Sequence, residues 1–135
     1  MSTSAAGLLD TSVFIARESG RPLGDLPNQV AVSVVSIGEL QFGVLSAADN
    51  QARARRADTL ALARAADPIP ISEAVMTTWA RLVADCRTAG IQKTVKLTDA
   101  LIAATAVEHG LPVITQDDDY NRMAEAHAAL SVVMV

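Results

Sequence analysis

Short apolar segments rich in β-branched residues alternate with longer helix-forming segments along the chain, and this alternation constrains the fold most strongly. Each apolar segment is too short for a helix and is bounded by Gly, Pro or polar residues, which predicts a buried strand. We expect strands at residues 7–9, 30–35, 69–71, 112–115 and 131–134. Alternating strands and helices form parallel sheets with right-handed crossovers. The chain therefore predicts an α/β fold, a three-layer α/β/α sandwich with a mainly parallel central sheet, and its 135 residues fit a single domain, residues 1–135.

The helices are predicted from capping residues and helix terminators. Ser36, Ser72 and Thr98 stand where N-caps are expected, and the helices that they begin should end at about residue 47, at Gly90 and at Gly110. The remaining helices are expected at residues 11–17, 51–66 and 120–127. A loop over residues 91–97 carries both lysines of the chain.

Acidic residues stand at four junctions between these strands and helices. Asp10 follows the first strand, Glu39 lies just beyond the second, Asp99 opens a late helix, and an acidic triplet at residues 117–119 follows the fourth strand. Ligands of a parallel sheet gather outside the carboxyl ends of its strands, so these acids can converge although they are far apart in sequence. Carboxylates that share a pocket repel one another unless a hard cation compensates. The sequence therefore predicts a Mg²⁺ or Mn²⁺ site.

Each acid also has a purely structural interpretation. Asp10 is a good N-cap for the helix that follows it. Ser36 and Glu39 have the spacing of a capping box, Asp99 could complement a helix dipole, and residues 117–119 could be a solvated turn. The metal hypothesis gains its weight from the occurrence of all four at the same predicted edge of the sheet.

Short hydroxyl side chains accompany two of the acids. Thr11 and Ser12 follow Asp10, and Thr115 precedes the acidic triplet. Such groups can orient carboxylates or bind metal-coordinated water, although capping and turn formation explain them equally well.

Composition narrows the class of function. The net charge of −4 argues against a broadly basic nucleic-acid binder, but not against a nucleic-acid enzyme whose acids hold metal. One cysteine, Cys86, excludes an internal disulfide, and no apolar run reaches the roughly 18 residues of a membrane span. The first ten residues lack the pattern of a signal peptide. We therefore expect a cytoplasmic protein that has no contact with membranes.

Other chemistries that use acidic pockets fit less well. A phosphoaspartate phosphatase would need a second Asp where Ser12 stands, and a receiver domain would need a Lys where Gln116 follows Thr115. The chain contains neither a G-x-x-x-x-G-K-[ST] nor a G-x-G-x-x-G phosphate loop.

The segments LLDTSVFIA, SIGELQFGV and TDALIAATAVEHGLPVITQDDDY, in this order and at these intervals, resemble the PIN-domain nucleases, specifically VapC-type toxins. The resemblance implies that Asp10, Glu39 and Asp99 bind a divalent metal. The fourth acid of the family's T-x-D-x-D motif maps best to Asp117, with Asp119 as the alternative. Tyr120 stands where the family usually has Phe, a change expected to preserve packing. The resemblance also implies an RNA substrate, a homodimer and inhibition by a cognate VapB-type antitoxin.

The interpretation that follows is a Mg²⁺- or Mn²⁺-dependent endoribonuclease that acts as the toxin of a type II toxin–antitoxin system and inhibits translation or growth. Four basic residues in loops or at helix ends could grip the RNA backbone: Arg17, Arg21, Lys93 and Lys96. A housekeeping RNA-processing nuclease and a catalytically idle PIN-like module that binds RNA or protein remain alternatives. A small gene immediately upstream that encodes a DNA-binding antitoxin would distinguish the toxin from the housekeeping enzyme.

One segment carries more apolar residues than a single helix face needs against a sheet: Ile37, Leu40, Phe42, Val44 and Leu45. An amphipathic antitoxin segment could lie in a groove between this helix and the helix at residues 51–66. The protein's own core or a homodimer interface would cover the same residues equally well.

Overall fold

A computed structural model describes residues 5–135, and within them the sheet is parallel throughout. Residues 1–4, part of the segment that lacks the pattern of a signal peptide, lie outside the described residues. The strands are β1 (Ala6–Leu9), β2 (Gln29–Ala31), β3 (Val113–Thr115) and β4 (Val132–Met134). Their order across the sheet is β2-β1-β3-β4, and β1 pairs with β3 through Leu8–Val113 and Leu9–Ile114. The carboxyl ends of β1 and β3 are therefore adjacent.

Within the described residues, six α-helices connect and cover the strands. They are α1 (Thr11–Ser19), α2 (Val34–Leu45), α3 (Asn50–Arg64), α4 (Glu73–Thr88), α5 (Leu97–Glu108) and α6 (Asp119–Ala126), with a 3₁₀ turn at Gln92–Thr94 inside the predicted loop. Most predicted boundaries agree with these within two residues, which is the usual uncertainty at frayed helix ends.

The two faces of the sheet carry separate hydrophobic cores. Leu8 and Val113 point into a core formed with α4, α5 and α6, which also contains Cys86. The next residue on each strand, Leu9 or Ile114, points into a core formed with α1, α2 and α3. This alternation follows from the two-residue period of a strand. The predicted α/β/α sandwich is confirmed.

The start of α2 differs from the prediction. Strand β2 ends at Ala31, and the side chain of Ser33 caps the helix by accepting a hydrogen bond from the Val35 amide at 3.0 Å. The prediction of Ser36 as the N-cap is wrong. The β-branched pair that suggested a longer strand begins the helix instead, because a good N-cap and tertiary packing outweigh a weak strand propensity.

The start of α5 also lies earlier than predicted. Residues 92–94 form the 3₁₀ turn, Lys96 then adopts an extended conformation (φ −72°, ψ 143°), and its carbonyl accepts the helical hydrogen bond of Ala100. Thr98 therefore lies inside the first turn, and its prediction as the N-cap is wrong. At residues 69–71 the predicted strand is reduced to one bridge between Ile69 and Ser33. Pro68 and Pro70 have no amide N–H, so a longer ladder cannot form there.

Between residues 5 and 135, every helix is too short or too polar to cross a lipid bilayer.

Candidate metal centre

Asp10 is both the N-cap of α1 and a buried carboxylate at the carboxyl end of β1. It is 4% exposed, and its Oδ2 accepts from the Ser12 amide at 3.4 Å, which confirms the capping interpretation. The same oxygen accepts from the Thr115 hydroxyl at 2.9 Å, and Oδ1 accepts from the Tyr120 hydroxyl at 2.8 Å. Capping thus accounts for only one of three hydrogen bonds, and the other two connect α1 to β3 and α6.

Asp99 lies in the first turn of α5 and is 8% exposed. Its pKa is raised to about 6, mainly by burial and then by the charges of Asp10, Asp117 and Glu39, while the charge of Lys96 lowers it. The Tyr120 hydroxyl is 3.4 Å from Asp99 Oδ1, a long contact for a hydrogen bond. These carboxylates are therefore close enough to repel one another, which is the situation that a divalent cation relieves.

Glu39 is held by α1 rather than by its own helix terminus. Because Ser33 caps α2, the predicted capping box of Ser36 and Glu39 is wrong. Glu39 Oε1 instead accepts from the Thr11 hydroxyl at 2.6 Å, and that hydroxyl lies 2.8 Å from the Ser36 hydroxyl. The Glu39 carboxylate therefore lies at the N-terminus of α1, beside Asp10.

The acidic triplet divides into two residues that face Asp99 and one that does not. Carboxylate oxygens of Asp99, Asp117 and Asp119 all lie within 4.8 Å of one another. Asp117 Oδ1 also accepts from the Asp119 amide at 2.9 Å. Asp118 is exposed and accepts from the Asn121 side chain at 2.8 Å. Both candidates for the fourth acid therefore lie at the site.

Hydroxyl groups connect these acids to the sheet. Thr115 is fully buried; besides donating to Asp10, its Oγ1 accepts from the Asp117 amide at 2.8 Å and lies 3.2 Å from the Ser12 hydroxyl. Ser12 Oγ accepts from the Gln116 amide at 3.1 Å. Thr11, Ser12 and Thr115, predicted as supporting residues, all contact an acid or a neighbour of one.

Tyr120 is the residue whose role the sequence interpretation missed. Its side chain is fully buried, and its hydroxyl reaches Asp10 and Asp99. Burial raises the tyrosine pKa far above its ordinary value, and the charges of Asp10 and Asp99 raise it further, so the hydroxyl remains a proton donor. The signal was present, since a hydroxyl in place of the family's usual Phe must find a partner when it is buried.

The donor set fits a hard divalent cation. The converging side chains offer carboxylate oxygens, which Mg²⁺ prefers, and the three oxygens around Asp99 are close enough to share one ion. Two softer ligands lie elsewhere: Cys86 is on α4 and is buried in the core, and His127 pairs with Asp85 at 2.7 Å.

Of the four basic residues predicted to bind RNA, Lys96 is close enough for its charge to act on Asp99. Lys93 lies on the 3₁₀ turn three residues before it, and both lysines are exposed. Arg17 is exposed and lines an apolar cleft with Phe14 and Leu23. The backbone amide of Arg21 donates a hydrogen bond to the Ala16 carbonyl at the end of α1.

An apolar groove of about 560 Å³ opens beside the carboxylates, between α1, α2 and the start of α5. We call it the α1–α2 groove, and its lining residues are Thr11, Ile15, Val35, Gly38, Glu39, Phe42 and Thr98. Helices α2 and α3 instead pack together, with Arg56 donating to the Gly43 carbonyl at 2.6 Å. No residue of α3 lines the α1–α2 groove, which therefore differs from the groove expected between α2 and the helix at residues 51–66.

Comparisons with known proteins agree with this architecture. The family model of the PIN domain matches residues 7–126. Ribonuclease VapC8 of Mycobacterium tuberculosis is 72% identical over 100 residues, which are 74% of this chain and 89% of that protein. Ribonuclease VapC5 of the same organism is 43% identical over 135 residues, 98% of each chain. A crystal structure of VapBC-5 from M. tuberculosis, a member of the VapBC family of toxin–antitoxin systems, matches with a TM-score of 0.84 and 39% identity over 98% of this chain and 100% of that chain.

Proposed function

The chain belongs to the PIN-domain family, and we propose that it is a metal-dependent endoribonuclease that serves as the toxin of a type II toxin–antitoxin system. The observation that carries this proposal is the convergence of Asp10, Glu39, Asp99 and Asp117, with Asp119 alongside, at one edge of the sheet. The names of its relatives, ribonucleases and a toxin–antitoxin complex, support the same activity.

In this proposal Asp10, Glu39, Asp99 and Asp117 hold Mg²⁺ or Mn²⁺, with Asp119 as the alternative to Asp117. The bound ion would supply a polarised scissile phosphate and an activated water for in-line attack. The protein's own contribution is orientation. Thr115 and Tyr120 fix the two oxygens of Asp10, and Thr11 fixes Glu39, so the carboxylates keep their places before substrate arrives.

RNA would approach this edge along its phosphate backbone. Lys96 is the best-placed residue to contact a phosphate, because its charge already acts at Asp99, and Lys93 is close to it in the chain. Arg17 and Arg21 remain candidates for more distant contacts. We further propose that residues 1–135 act as one domain, in the cytoplasm, as a homodimer.

The decisive experiment is cleavage of total cellular RNA with mapping of the new 5′ ends. Wild-type protein should cut in Mg²⁺ or Mn²⁺ and stop when EDTA is added, whereas Asp99→Asn should be inactive but folded. Asp118→Asn is the matched control, because Asp118 belongs to the same acidic triplet but is exposed and bonded to Asn121. Equal cleavage by wild type and Asp99→Asn would refute the assignment, and inactivity of the wild type on RNA would favour the idle binding module.

The toxin role requires a partner, and we propose that a VapB-type antitoxin places an apolar segment in the α1–α2 groove. Phe42 is 71% exposed and lines this groove, and Glu39 lies at the same groove, beside the carboxylates. An occupant would therefore bury apolar surface and at the same time block the metal centre. A homodimer interface over Phe42 is the competing explanation.

Leu45 offers a matched control for the groove, because it is also 71% exposed on α2 but does not line it. Phe42→Ser should abolish co-purification with the product of the neighbouring antitoxin gene while leaving RNA cleavage and the oligomeric state intact. Leu45→Ser should retain the antitoxin. Loss of the dimer in Phe42→Ser would assign the groove to self-association instead. Growth arrest that no neighbouring gene product relieves would favour the housekeeping nuclease.

A further inference from the structure

The single tyrosine of the chain lies at the centre of the proposed site. Tyr120 is on α6, and its ring belongs to the core formed by α4, α5 and α6, together with Leu8 and Met123. The side chain is fully buried in this core, so packing restricts the position of the ring.

That hydroxyl bridges the two most buried carboxylates. It lies 2.8 Å from Asp10 Oδ1 and 3.4 Å from Asp99 Oδ1. A phenol has one proton to donate, and the shorter distance directs it to Asp10. Because the other oxygen of Asp10 accepts from Thr115 at 2.9 Å, the carboxylate is held from both sides and cannot rotate freely.

We propose that Tyr120 is a positioning residue of the metal centre, whose hydroxyl fixes Asp10 relative to Asp99 so that the two carboxylates are arranged for a cation before it binds. This inference rests on the proposed function, since it assumes that the carboxylates bind metal. Residues that orient metal ligands typically change metal affinity by about 10- to 100-fold when they are replaced.

Tyr120→Phe is the direct test, because it removes the hydroxyl and keeps the ring. We expect Mn²⁺ titrated calorimetrically into the RNA-free protein to bind about 10-fold more weakly or worse to this variant than to wild type. Thr105→Val is the control. Thr105 is a fully buried hydroxyl on the helix of Asp99, but it donates to the Leu101 carbonyl at 2.8 Å and does not contact the acids.

The outcomes separate the two proposals. Weaker Mn²⁺ binding by Tyr120→Phe, with wild-type affinity in Thr105→Val and comparable thermal stability of the two variants, supports the positioning role. Unchanged affinity in a folded Tyr120→Phe protein overturns that role and leaves the nuclease assignment standing. Failure of the wild type itself to bind Mn²⁺ or Mg²⁺ overturns the proposed metal site and the positioning role together.

The wild-type protein provides a second measurement that does not depend on a variant. Tyrosine labelled with ¹³C at Cζ gives one resonance, because Tyr120 is the only tyrosine. Saturating Mg²⁺, which is diamagnetic, should shift this resonance, because the cation withdraws electron density from the Asp10 carboxylate that accepts the hydrogen bond of Tyr120. A resonance that does not move while calorimetry reports Mg²⁺ binding would contradict the inference, even if Tyr120→Phe failed to fold.

Discussion

Asp10 and Asp99 are two buried carboxylates of the same candidate site, yet their surroundings differ. Asp10, at the junction of β1 and α1, accepts from the Ser12 amide and from the hydroxyls of Thr115 and Tyr120. Asp99, at the start of α5, has one long contact with Tyr120, and its pKa is raised to about 6. Their exposed fractions are nearly equal, 4% and 8%, so the two carboxylates differ mainly in the hydrogen-bond donors around them.

The comparison separates two ways of maintaining a carboxylate inside a protein. Donors directed at the ionised form replace the water that Asp10 loses on folding. Asp99 lacks such hydrogen-bond donors, and the charges of three other carboxylates repel it. In the absence of a cation, its ionised form therefore destabilises the folded protein. We interpret Asp10 as the fixed anchor of the site and Asp99 as the residue whose charge depends most on the metal.

The largest expected effect is on RNA cleavage, where substitutions of Asp10 and of Asp99 should act alike. Asp10→Asn and Asp99→Asn each remove one charge and one anionic ligand from the proposed centre, so each should lower the rate of RNA cleavage by more than about 100-fold. Single-turnover cleavage of a mapped substrate measures this. A variant of either residue that retains near-wild-type cleavage would remove it from the metal site.

The same two substitutions should change the free energy of unfolding in opposite directions. In metal-free buffer at neutral pH, Asp10→Asn leaves Thr115 and Tyr120 without a charged acceptor and should lower the free energy of unfolding by about 1–3 kcal/mol. Asp99→Asn relieves desolvation and repulsion and should raise it, by at most about 3 kcal/mol. Urea denaturation of both variants tests this, and a loss of stability in Asp99→Asn would contradict the electrostatic account.

The pH dependence of stability should show the same difference. Since the pKa of Asp99 is about 6 in the folded protein and 3.8 in the unfolded reference, the folded state binds more protons between these values. Its contribution to stability is therefore present below about pH 4 and is lost as the pH rises to about 6. Denaturation curves of metal-free wild type and Asp99→Asn should diverge over this range. Parallel curves would mean that Asp99 ionises normally.

Much of this site follows from the sequence, because it depends on where strands end. Asp10 and the triplet follow β1 and β3, two adjacent parallel strands, so their convergence needs only the strand order. The family motifs supplied the order and the identity of the acids. The hydrogen-bond geometry did not follow, because it depends on side chains brought together by α5 and α6 from distant parts of the chain.

Two errors have a common physical origin. Ser36 and Thr98 have the chemistry of N-caps, but the helices begin earlier, at Ser33 and Lys96. Local propensity does not locate the first turn when tertiary packing determines where it begins, and at α5 the N-cap position is taken by Lys96, whose side chain makes no capping hydrogen bond. Tyr120 was interpreted as a packing residue for a related reason. A sequence shows that a buried hydroxyl needs a partner, but only the fold shows that the partner is Asp10.

The smallest effect we expect distinguishes the two acids of the triplet that face Asp99. Asp117 raises the pKa of Asp99 and is fixed by two contacts, its amide on Thr115 Oγ1 and its Oδ1 on the Asp119 amide. Asp119 lies two residues further on, at the start of α6, and belongs to the same cluster.

Asp117→Asn should therefore weaken Mn²⁺ binding about 10-fold or more, and Asp119→Asn should weaken it only a few-fold, with Asp118→Asn as the unaffected control. Calorimetric titration of the three variants ranks them directly. The larger loss in Asp119→Asn would reverse the assignment of the fourth acid. Equal and negligible losses would reduce the triplet to a polar turn, and the charge that opposes Asp99 would then come from Asp10 and Glu39 alone.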